Sequence, residues 1–158
     1  MSGRLFSVAL LVGILSFPAG FSAAQDRNES ATAIAGAMEA LDAFMLAFNA
    51  RDPEAWAATL NYPHVRFASG QVTVWESAGE FAENARTGSC PALARAGWDH
   101  SHWLSRDVTL VSPGKVHVNT VFQRFNSDNE PIGTYESLYI VTLVDGHWGT
   151  QARSSLAP

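Results

Sequence analysis

The sequence predicts an α+β half-barrel: a curved, mostly antiparallel sheet wrapped around about three N-terminal helices. Three observations carry this prediction. Thr134 to Ser154 alternates apolar and polar residues on both sides of Asp145-Gly146. An Asp-Gly pair in that setting signals a two-residue hairpin turn, which needs positive φ at both central positions. Ile34, Met38, Leu41, Met45 and Phe48 recur at alternating steps of four and three, the apolar stripe of an amphipathic helix. Helical patterns come first and strand patterns dominate from Trp98 onward, the segregated order of an α+β domain.

The chain opens with a targeting pattern. Met1 to Arg4 is a short positive region, LFSVALLVGILSF (5–17) is apolar, Pro18 and Gly20 break it, and Ser22-Ala23-Ala24 offers small residues. This reads as a signal peptide over residues 1–24, cleaved after Ala24. A single domain over 25–158 is then expected to be soluble and exported, periplasmic or secreted, with no stable membrane insertion. A membrane anchor is the competing reading, but a spanning helix needs about 20 apolar residues. The whole chain has 158 residues, 47% of them hydrophobic, enough for one domain with its own core. Net charge is −5, and Lys115 is the only lysine, which argues against nucleic acid as a partner. Cys90 is alone, so no internal disulfide forms. It reads as a small buried hydrophobe or, alternatively, an intermolecular bridge.

Residues 25–29 are polar and predicted to fray, with Ser30 capping a helix to about Ala50. Ala37 and Phe44 flank its apolar stripe. Asp52-Pro53-Glu54 starts a second helix, Pro53 to Leu60: Asp caps, Pro fits the first helical position, and Glu suits the positive end of the dipole. Strands Val65 to Ala68 and Gln71 to Trp75 form a small hairpin around Ser69-Gly70. Ser77 and Glu80 have the spacing of a capping box for a third helix, Ala78 to Thr87. A loop over 88–97 follows, with room for one helical turn at Pro91 to Arg95. His102 to Val111 and Lys115 to Asn126 then flank Ser112-Pro113-Gly114. A three-residue turn with Gly114 left-handed pairs Val111 with Lys115. That register gathers Leu104, Val108, Leu110, Val116, Val118 and Phe122 on one face, together with His100, His102, Arg106, Thr120 and Arg124. In the last hairpin, Val144 faces His147 and Leu143 faces Trp148. Tyr135, Ser137, Tyr139, Val141 and Trp148 share one face; Glu136 and Arg153 share the other.

The segments AFNARDPEAW, NYPHVRFASG, KVHVNTVFQRF, YESLYIVTLV and DGHWGTQARSS resemble the SnoaL-like branch of the nuclear transport factor 2-like superfamily, over about Ile34 to Ser154. The resemblance implies a cone with a deep apolar pocket at one end and a homodimer formed through the sheet. The fold hosts isomerases, cyclases, dehydratases and non-catalytic binding domains. Enzymes of this superfamily typically place an acidic residue in the cone as base. No aspartate here matches that pattern: Asp99 and Asp107 fall on the opposite face, Asp128 and Asp145 in turns, Asp42 and Asp52 among the helices.

The polar residues expected in such a cone are His64, Arg66, His100, His102, Arg124, Tyr135 and Tyr139, with Trp75 and Trp98 as aromatic walls. His100 or His102 is the candidate proton carrier, since histidine titrates near neutral pH. Tyr139 and Arg66 are candidate stabilisers of developing negative charge. His64, Tyr135, Arg124, Trp98 and Trp75 are candidate binding residues. Each has a plainer reading: rim hydrogen bonds for the histidines, a structural ion pair for Arg66, core packing for the tyrosines and tryptophans. A shared metal on His100 and His102 lacks a fixed third ligand, so no metal site is predicted, and no cofactor motif is present. Arg153 reads as an ion pair with Glu136. The expected ligand is a small apolar or aromatic molecule. Two functions stay open: cofactor-free proton transfer (isomerase, cyclase or dehydratase type), or a non-catalytic binding or dimerisation module.

Overall fold

Helix α1 (Ala19–Ala50) is the axle of the structure, a computed structural model describing residues 19–68 and 70–157, with side chains from Gln25 onward. The predicted stripe is the face it buries: Ala37, Leu41, Phe44, Met45 and Phe48 pack into one core. Residues 25–29 are helical rather than frayed, and Gln25 donates to Glu29 one turn on. Ser30 is therefore inside the helix and does not cap it. The predicted signal segment lies outside the described residues, apart from the helical backbone from Ala19. Gln25–Ala50 is also long and apolar enough to cross a membrane, yet its apolar stripe is spent on the core.

Arg51 ends α1 in the left-handed region (φ 56°), where its amide and that of Asp52 satisfy the Phe48 and Ala47 carbonyls. Its guanidinium also reaches Asp99 Oδ1 at 3.0 Å, tying the helix end to the approach to β3. Helix α2 (Pro53–Ala58) starts as predicted, with the Ala55 amide donating to Asp52 Oδ1 at 2.9 Å. It stops short of Leu60, which instead opens strand β1 (Leu60–Ala68). β2 (Gln71–Trp75) pairs back on β1 from His64 opposite Trp75 to Ala68 opposite Gln71. Ser77 Oγ caps α3 (Ala78–Asn84), while Glu80 reaches the Glu76 amide rather than that of Ser77. The helix expected to reach Thr87 gives way to a π-helical turn (Ala85–Ser89), which runs through the start of the expected loop into α4 (Cys90–Arg95), the helical turn expected at Pro91 to Arg95. Cys90 is half-buried against the core, and burial pushes its thiol up.

Four long strands complete the sheet: β3 (His100–Ser112), β4 (Lys115–Phe125), β5 (Pro131–Val144) and β6 (His147–Ser155). The order is β2-β1-β6-β5-β4-β3, antiparallel throughout except for β1 beside β6. The Asp145-Gly146 turn has the predicted positive φ at both positions (50° and 81°), and the pairs Val144–His147 and Leu143–Trp148 form.

Three β-bulges, two in β3 and one in β6, and a tighter turn than predicted overturn the predicted faces. In β3, Ser112 pairs with Lys115 across a two-residue turn, and Gly114 is not left-handed. Register shifts at Thr109 and at Leu104 then change which residues face inward. Each inserts an extra residue and so moves every side chain beyond it to the other face. Trp103 and Ser101 stand opposite Phe122 and Arg124 on the concave side, whereas His100 and His102 stand opposite Phe125 and Gln123 on the convex side. Leu104 and Leu110, predicted to be core, are 55% and 62% exposed. In β6 a shift near Gln151 pairs Tyr139 with Arg153 and Ile140 with Ala152. Arg153 therefore lies on the Tyr139 face, the reverse of the prediction.

A candidate arginine-lined cavity

The concave sheet face and the four helices enclose a cavity of about 520 Å³, within the range of small-molecule sites. α1 supplies Phe44, Met45 and Phe48, α2 supplies Trp56, and α3 supplies Phe81. Their rings interlock: Phe48 and Trp56 lie 4.9 Å apart, Trp56 and Phe81 meet edge to face at 5.0 Å, and Trp75 meets Phe81 at 5.2 Å. The π-helical turn and α4 bring Gly88, Ser89 and Leu93 to the wall, in keeping with the frequency of π-bulges at functional sites. Exposed Asn84, Ala92 and Ala96 mark the side open to solvent.

The sheet supplies the polar end. Arg66 (β1), Arg124 (β4), Tyr139 (β5), Arg153 and Ser155 (β6) all line the cavity. Arg66 and Arg153 are lateral neighbours in register on adjacent strands, and Arg153 is in turn paired with Tyr139. The Arg153 guanidinium lies over Phe44 (5.4 Å) and Trp56 (5.7 Å), and that of Arg124 over Tyr135 (4.9 Å) and Phe122 (5.8 Å). Burial and the two neighbouring arginines push Arg66 down to about 10. Burial likewise lowers Arg124, against the pull of Tyr135. Burial raises the fully enclosed Tyr139 hydroxyl, although Arg153 hydrogen-bonds it and opposes the shift. The phenol stays neutral: Arg153 donates to its oxygen, so its own hydrogen is left to donate.

Of the residues singled out in the sequence, Arg66, Arg124, Tyr139 and Trp75 meet in this cavity, and Tyr135 touches it through Arg124. His64 sits behind the wall, 0% exposed, stacked on Trp75 (5.7 Å) and edge-on to Phe81 (5.8 Å). Its Nδ1 donates to the Thr150 carbonyl at 3.0 Å and its Nε2 has no partner among the described residues. Burial, then Arg153, hold its pKa down to about 3, so the ring is neutral. Trp98 is core, 4.5 Å from Phe48, with its indole N–H on Ser101 Oγ. His100 stacks on Phe125 and bonds Asp99 at 3.0 Å, and His102 is exposed beside it. Neither lines the cavity, so neither is placed to move a proton there. Among the described residues no three His, Cys, Asp or Glu side chains converge as a metal site. Arg153, Phe44, Phe48, Trp56 and Phe81 are the lining residues that sequence reasoning left out. The helical aromatics read as plain core, and only knowledge of the β6 bulge turns Arg153 inward.

Solved structures share this architecture. An NTF2-like protein with a cystatin-like fold from Novosphingobium aromaticivorans aligns at 14% identity over 91% of each chain, with a TM-score of 0.65. A ketosteroid isomerase-like protein from Erwinia carotovora atroseptica aligns at 20% identity over 78% of this chain and 96% of its own, with a TM-score of 0.58. An NTF2-like protein of unknown function from Shewanella oneidensis aligns at 12% identity over 75% and 94%, with a TM-score of 0.59. At these identities the likeness is one of fold. No curated protein matches the sequence significantly. Residues 34–153 match a family described as NTF2-like protein (DUF6841), covering both the helical and the sheet halves of the cavity, and the chain belongs to that family.

Proposed function

We propose that this is an exported small-molecule-binding domain, holding a ligand with a largely apolar, aromatic body and releasing it unchanged. One observation carries the reading: among the described residues, no aspartate, glutamate or histidine lines the aromatic cavity. Ligand-sized space with stacking walls supports binding, whereas proton transfer at neutral pH wants a side chain that titrates near it. The apolar N-terminal segment fits a signal peptide, which supports export. In a thermal-shift screen of aromatic compounds, hits should raise Tm and be recovered chemically intact after prolonged incubation, as read by mass spectrometry. Steady product formation from a hit would sink the binding-only reading.

A second reading has its own support. Tyr139, Arg66 and Arg153 form a donor cluster of the kind that stabilises an oxyanion, and a ketosteroid isomerase-like protein is among the structural neighbours. In that case the substrate carries an acidic C–H, and the base is supplied by the substrate itself or by hydroxide.

A further inference from the structure

The polar end of the cavity is built against its own interests. Arg66 and Arg153 are direct neighbours on one sheet face, a placement that costs stability when the charges are alike. Arg124 joins them on the cavity wall. Arg51, Arg86 and Arg106, outside the cavity, each have a carboxylate partner: Asp99, Glu54 with Glu83, and Asp42. Among the described residues no carboxylate pairs with any of the three in the cavity, and the Nε of each is buried without an acceptor.

From three guanidinium groups that meet in an aromatic cavity without a carboxylate partner, we infer that the ligand is an organic anion, an aromatic acid whose carboxylate is bridged by Arg66, Arg124 and Arg153. This rests on the binding reading above and narrows its ligand class. Tyrosine hydroxyls and ring faces satisfy the arginines only in part. A ring takes up the face of a guanidinium, whereas its N–H donors lie in the plane, where a carboxylate is held by paired bonds. The lowered pKa of Arg66 agrees, since its causes are burial and the neighbouring cations. A bound carboxylate removes that strain, and the neutral Tyr139 hydroxyl adds one more donor. The rings of Phe44, Phe48 and Trp56 then receive the ligand's body.

The test compares naphthalene-2-carboxylate with naphthalene-2-carboxamide, which differ in charge and little in shape. Titration calorimetry on the wild-type chain should show the carboxylate binding at least about ten-fold tighter, the size of effect expected for hydrogen bonds to a charged group. The preference should shrink toward parity in Arg153→Gln and Arg66→Gln, and persist in Arg106→Gln, whose arginine pairs with Asp42 outside the cavity. If the amide binds as tightly as the carboxylate, the anion inference fails and the cavity reading stands. If neither binds at millimolar concentration, both fail. The wild-type comparison needs no variant to fold.

Discussion

A histidine sealed in a core must settle its protonation state when the chain folds, and His64 settles it as neutral. Its ring has no exposed surface, and its Nδ1 bond to Thr150 favours charge too weakly to offset burial and the Arg153 field. The pKa is near 3 in the fold and 6.5 for an unperturbed histidine. Between those values the unfolded chain binds the extra proton, so stability is full above pH 6.5 and falls as pH drops toward 3. The slope is about 1.4 kcal/mol per pH unit. His64→Asn can keep a donor for Thr150 and does not titrate. Urea unfolding from about pH 7.5 to 5 should show the wild type losing about 2 kcal/mol more than the variant; parallel curves would refute the assignment. The same scale shows what was legible. His64 and Arg66 alternate in a short, regular strand, so their shared face follows from the sequence. Arg153 has as clear a neighbourhood in the chain, yet its side was misassigned, because one extra residue in β6 reverses it.

Elements were legible where a local signal fixes them, and illegible where packing does. The α1 stripe, the Asp52 cap and the Asp145-Gly146 turn each rest on contacts within a few residues. Helix was legible to Thr87 and again at Pro91 to Arg95, but the π-helical turn that joins the two through Gly88 has no such local signal. It is helical because Ala85 and Leu93 are buried against the core. α1 also meets the sheet through a contact that the sequence conceals. The Trp148 indole lies directly on Gly36, so a Cβ at that position would stand only 2.4 Å from Cδ1 and Nε1 of the ring. Two effects then oppose each other in Gly36→Ala. Helix propensity favours alanine by about 1 kcal/mol, while forcing a methyl group into a packed contact costs about 1–3 kcal/mol. The atoms it meets belong to a rigid indole held between β6 and α1, so the cost should win. Chemical denaturation should find Gly36→Ala less stable by about 1 kcal/mol; a stabilised variant would mean that the indole swings aside freely.

At the scale of the whole molecule, the bulges in β3 act on both faces of the sheet. They turn Trp103 and Ser101 toward α1, where Asn49 clamps the Ser101 backbone with two bonds of 2.9 Å. The bulge at Leu104 and the two-residue turn at the end of β3 also leave Leu104 and Leu110 on the convex side, which carries Phe67, Val72 and Val74 at the other end of the sheet. A lone domain rarely leaves a broad apolar sheet face in water, and the helices already cover the opposite side. The convex face is thus suited to a second copy of the chain, an association that needs roughly 800 Å² from each partner. Light scattering on the mature chain at micromolar concentration should give the mass of a homodimer. Leu110→Glu should shift it to monomer, because a charge there would have to be buried unpaired at the interface. Arg153→Gln, on the opposite face, should leave the mass unchanged. A monomeric wild type would show that this apolar face is tolerated in solvent and that the cavity is complete within one chain.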